Sequence, residues 1–123
     1  MTTKELLKRT KDFAHRCVKL SVALPKTKLG YHIQGQLIRC STSVAANYRA
    51  TVIAQSKKSF IAKISIVVEE IDESAFWLEF IIDENLMKKD RVSDLLKEAE
   101  ELTSIFIVSR KTASQNSKKS SLK

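Results

Sequence analysis

The sequence predicts an all-α fold, an antiparallel up-down-up-down four-helix bundle, on three observations. Apolar residues recur at three- and four-residue steps in four separate stretches. Short polar connections join those stretches, which places consecutive helices antiparallel. With 2 Gly and 1 Pro in 123 residues, the chain is too poor in turn formers for a sandwich or barrel, and too poor in glycine for a phosphate loop. Hydrophobic residues make up 43% of the chain, enough for one core, and the length leaves no room for a second. The expected layout is a bundle domain over residues 1–112 followed by a disordered basic tail, 113–123.

Leu6, Thr10, Phe13, Cys17, Leu20 and Leu24 draw one stripe along a first helix at about residues 3–24. Pro25 stops it, because the residue before a proline is pushed out of the helical region. The opposite face carries Lys4, Lys8, Lys11, His15 and Lys19. A second stripe, Ile33, Leu37, Cys40, Val44 and Tyr48, begins after Lys28. Gly30 and Gly35 lie near its start, where weak helix propensity matters least. From Tyr31 to Ser56 there is no acidic residue, and the charges are Arg39 and Arg49.

Ser56 is placed to cap a third helix at about 57–85, since its hydroxyl can accept from an orphan backbone N–H. Phe60, Ile64, Val67, Ile71, Ala75, Leu78 and Ile82 make its stripe. Ile66, Phe76, Trp77, Phe80 and Ile81 fall off it. A helix of a lone bundle needs one apolar face, so the surplus predicts an oligomer interface. Asn85 is a C-cap signal, and Lys88-Lys89-Asp90 leads to a fourth helix at about 91–111 through Val92, Leu95, Leu96, Ala99, Leu102 and Phe106. The polar, basic stretch Ala113–Lys123 is expected to be a mobile extension. Cys17 and Cys40 fall on the apolar stripes without CxxC spacing and read as small buried hydrophobes.

Charge divides unevenly. The chain has 22 Lys+Arg against 14 Asp+Glu, a formal net charge of +8. Residues 1–56 carry ten basic and two acidic residues, whereas 57–85 carry three basic and seven acidic. This polarity reads either as solvated faces with inter-helix ion pairs, each worth about 0–1 kcal/mol, or as a polyanion footprint formed by the first helix and the tail. No apolar run approaches the roughly 18 residues of a membrane span. The charged N-terminus lacks the apolar core of a signal peptide, so a cytoplasmic protein is expected.

Catalysis is not expected. His15 and His32 lie on different helices without HExxH spacing, and GxSxG is absent. Glu70 and Glu73 share a helical face but lack the Glu-x-x-His motif of a bundle metal site, so neither a metal nor a cofactor is expected. The expected activity is nucleic-acid binding with little sequence preference, RNA or DNA, through Lys4, Lys8, Lys11, His15, Lys19, Arg39 and Arg49. The competing reading is a structural adaptor that holds a protein partner through Phe76, Trp77 and Phe80.

The second helix holds the least common pattern. Gln36, Ser43 and Asn47 stack at i, i+7 and i+11 beside the apolar stripe, flanked by Arg39. Buried polar groups must be satisfied, since each one left unpaired costs about 1–3 kcal/mol. Glu70 and Glu73, with Lys63 alongside, are the expected partners in a network that fixes helix register.

These residues carry a resemblance. Gln36-Leu37-x-Arg39, Ser43-Val44-x-x-Asn47-Tyr48, Phe60-x-x-Lys63 and Glu70-x-x-Glu73-x-x-x-Trp77-Leu78 together resemble the 23S rRNA intervening-sequence protein family over about residues 5–110. Many members carry Glu-Gly soon after the Asn47 position, where this chain has Ala50-Thr51. The resemblance implies a four-helix bundle assembling as a ring-like homo-oligomer, a homopentamer. It also implies distant kinship with basic, nucleic-acid-binding accessory proteins of diversity-generating retroelements, which work with a reverse transcriptase, so an accessory factor of that kind is a third reading.

Overall fold

Three hydroxyls start three helices for one reason: each satisfies a backbone N–H that the first helical turn leaves without a partner. Thr2 accepts from the Glu5 amide at 3.1 Å, Thr27 from Gly30 at 3.1 Å and Ser56 from Ser59 at 3.0 Å. In the computed structural model, which describes the backbone of residues 1–122 and the side chains of 1–116, the helices are α1 (Thr3–Val22), α2 (Lys28–Val52), α3 (Lys57–Asp83) and α4 (Lys89–Leu122). No strand occurs among the described residues.

α3 ends in a left-handed turn at Asn85, φ 54°. The Leu86 amide donates to the Ile81 carbonyl at 3.0 Å and the Asn85 amide to Ile82 at 3.1 Å, the paired bonds of a Schellman cap. Leu86 folds back onto the core beside it. The α1–α2 connection closes more tightly. A Cβ added at Gly30 would lie 1.9 Å from the Pro25 carbonyl oxygen, so only glycine fits there. Gly30→Ala is therefore expected to cost about 1–3 kcal/mol, read as a lower urea midpoint.

Each helix packs on the next in the chain, and α1 meets α4 along a sparser seam that completes the four. Phe13, Ile33, Leu37, Ile64, Ile71, Leu78, Leu102 and Phe106 are fully buried. Tyr48 of α2 meets Phe106 of α4 across the bundle, ring centroids 5.0 Å apart. Buried hydroxyls turn back on their own helices: Thr10 donates to Leu6 O at 2.9 Å, Ser21 to Cys17 O at 2.7 Å and Thr51 to Asn47 O at 2.8 Å. Among the described residues, no buried side-chain nitrogen or oxygen lacks a partner.

Two expectations need correction. Ile81, expected at an oligomer interface, is wholly buried. Val67, Ser74 and Ile81 form a seven-residue row that faces the core, and the row outranks the four-residue step to Ile82. The fourth helix does not stop near 111. No Gly or Pro interrupts α4, so residues 113–116, expected to be disordered, continue the helix. The side chains of 117–122, and all of residue 123, lie outside the described residues, and with them the lysines of the expected basic tail. No helix among the described residues is long and apolar enough to cross a membrane.

Candidate functional site

The α2–α3 face joins the polar network to the aromatic surplus. Arg39 reaches across from α2 to two carboxylates one turn apart on α3, meeting Glu70 at 3.2 Å and also Glu73. Gln36 accepts from the same guanidinium through long contacts of 3.4 and 3.5 Å. The indole N–H of Trp77 donates to Glu73 at 3.1 Å. His32, which has no partner visible in sequence, sets its ring edge-on to Trp77 at 5.6 Å. Phe76 and Phe80 complete the cluster, with centroids 5.0 and 5.9 Å from that of Trp77. Trp77 and Phe80 are half-buried, while Phe76 is 50% exposed and Ile66, further along α3, 40%.

The network anticipated from sequence divides in two. Ser43 and Asn47 pair with each other, the Asn47 amide donating to Ser43 Oγ at 2.8 Å and to its carbonyl at 2.9 Å. They do not reach Arg39, because Asn47 bonds back along its own helix. Lys63 makes no ion pair among the described residues. Arg39, also a candidate for polyanion contact, pairs with Glu70 and Glu73 while its side chain stays half exposed.

Burial opposes ionisation of Glu73, but the hydrogen bonds from Arg39 and Trp77, with the Arg39 charge, outweigh it and hold the carboxyl below its ordinary value. A depressed carboxylate pKa stabilises the fold above its unfolded-state value, and that contribution is lost as pH falls through the folded-state value. Trp77 is the only tryptophan and bonds directly to this carboxylate. Its fluorescence should therefore titrate below the usual glutamate range, and Arg39→Ala should move that midpoint upward.

The other faces differ. Lys4, Lys8, Lys11, His15 and Lys19 stand exposed on α1 and Arg49 on α2. Among the described residues, only Lys8 of these meets a carboxylate, Asp12 at 2.6 Å. Between α1 and α2 runs a groove of about 640 Å³. Leu7, Ala14, Val18 and Ala45 form its floor, and Lys11, His15 and Arg49 rim it. Along the sparse α1–α4 seam, Arg9 clamps Glu98 with contacts of 3.1 and 2.5 Å and meets Glu101 at 3.1 Å. Sequence reasoning missed this clamp. Its signal was an arginine on the flank of the α1 stripe opposite α2, with carboxylates three residues apart on α4.

The thiols are unreactive in character. Burial pushes Cys17 up to about 12 and Cys40 to about 11, and Ser74 Oγ lies 3.2 Å from Cys40 Sγ. No group of three or more His, Cys, Asp or Glu is arranged to hold a metal ion among the described residues.

Four helices in sequential contact, with a cross-helix Arg39–Glu70–Glu73 bridge and a lysine-rich α1, define a four-helix bundle protein with a polarised surface. The profile of the 23S rRNA-intervening sequence protein family matches residues 3–107, and the chain belongs to that family. Among solved structures it is similar to the crystal structure of a protein of unknown function from the S23 ribosomal protein family of Bacteroides thetaiotaomicron VPI-5482. That likeness has 27% identity and a TM-score of 0.82 and covers 90% of this chain and 99% of the other. No curated protein matches the chain.

Proposed function

We propose that the protein is a non-enzymatic, cytoplasmic homo-oligomer, a pentamer, that binds RNA or DNA through a basic surface with little sequence preference. The observation that carries this reading is the α1 face. Lys4, Lys11 and Lys19 project from it beside His15 with no carboxylate partner among the described residues, on a chain of net charge +8 with histidine neutral. Cations left free in this way contact phosphates and release condensed counterions, which makes the affinity independent of sequence and steeply dependent on salt. Assembly multiplies the charge on one particle and adds avidity. The family's distant kinship with nucleic-acid-binding accessory proteins agrees with this reading.

Filter binding with a structured RNA and a DNA duplex tests it. Retention at low salt that falls steeply as salt rises is the expected result, and no retention of either at low salt overturns it. Exposed Phe76 favours a second reading, an adaptor for a protein partner, which would respond weakly to ionic strength.

A further inference from the structure

Two surfaces of this chain fit each other, yet lie too far round the bundle to meet within one copy. The first is the α1–α2 groove and the strip of α2 that continues it, Gly35, Thr42 and Ala46, all exposed and small. Gly35 is unexplained inside the monomer, since a Cβ there would meet nothing within 4 Å. A glycine in a helix costs about 0.5–1 kcal/mol relative to alanine, and close approach of another backbone is a recurring reason to keep one. The strip carries no acidic residue, and its rim is Lys11, His15 and Arg49.

The second surface is the outward face of α3. Ile66 and Phe76 are exposed there, and Glu69, Asp72, Glu79 and Asp83 stand around them. Gly35 and Arg49 lie fourteen positions apart, about 21 Å of helix. Ile66 and Phe76 lie ten positions apart, about 15 Å, so the exposed apolar pair fits within the length of the strip. The two surfaces are therefore compatible in length, opposite in charge and complementary in relief, large apolar side chains on one and small ones on the other.

We infer that the outward face of α3 docks in the α1–α2 groove of a second copy of this chain. The inference rests on the oligomeric reading above and names the surfaces that carry it. α1 and α3 are diagonal in the bundle, so groove and ridge point to different sides and the contact is head to tail. A two-fold contact would set α3 carboxylates, or the groove's cations, against their own copies. Head-to-tail contacts close into a ring when the rotation allows. Lys11, His15 and Arg49 are then covered, and Lys4 and Lys19 remain free for a polyanion, with Lys8 paired to Asp12.

Sedimentation velocity at micromolar concentration tests this with Ala46→Glu, which places a carboxylate in the groove at an exposed helical position, and Phe76→Glu, which spoils the ridge. Each variant alone should sediment as a monomer with unchanged helical circular dichroism. Mixed, they should form a one-to-one dimer, because the groove of one and the ridge of the other remain intact. A milder variant, Gly35→Ala, should keep or raise thermal stability while weakening association about tenfold or more. If Ala46→Glu, Phe76→Glu or Gly35→Ala assembles as the unmodified chain does, or the mixture fails to pair, the head-to-tail contact is overturned and the oligomeric reading stands. A monomeric unmodified chain overturns both.

Discussion

Phe106→Ala should lower the unfolding free energy by about 3–5 kcal/mol, the range for deleting a fully buried phenylalanine. Phe106 is 0% exposed and meets Tyr48 across the bundle, so its ring ties α4 to the helix diagonal to it. α1 and α4 meet sparsely, which leaves few neighbours able to move into the space. Domains of this size are stable by only about 5–15 kcal/mol, so the variant should unfold at a much lower urea concentration. Val108→Ala, at a position 62% exposed on the same helix, should change stability by at most about 0.5 kcal/mol. Equal midpoints for the two variants would contradict the packing described above.

The second large effect concerns nucleic acid. Replacing Lys4 and Lys19 with glutamine removes two exposed cations without a carboxylate partner from α1 and leaves the groove untouched. Binding to any RNA or duplex should weaken about tenfold or more at low salt, uniformly across sequences. The slope of log affinity against log salt should flatten by about 1 for each lysine that contacts a phosphate. Particle mass should stay unchanged. An unaltered affinity and slope would remove α1 from the footprint.

The helices were legible in the sequence because periodicity and caps are local. The stripe from Leu6 to Leu20 and the Ser56 cap depend on neighbours within one or two turns. Family membership was legible through spaced polar residues, Gln36, Arg39, Asn47, Glu70, Glu73 and Trp77, for the same reason: spacing on a helix is written along the chain. What escaped depended on distance in space. Ile81 and Ile82 are adjacent and equally apolar, and only the rotation of α3 against α2 decides which is buried. The Arg9–Glu98 clamp joins residues 89 positions apart, and the His32–Trp77 contact needs α2 and α3 in register. The end of α4 was misread because a polar composition was taken for loss of helix, although no residue there breaks one. Gly35 read as a tolerated weakness near a helix start, and only the empty space around it shows that the monomer does not need it.

Assembly is the central claim, since the exposed apolar residues of α3 and the pooled positive charge both depend on it. Multi-angle light scattering of the intact protein at micromolar concentration measures it most directly. A pentamer of 13.9 kDa chains gives a particle of about 70 kDa. A single 13.9 kDa species, unchanged on concentration, would contradict the account.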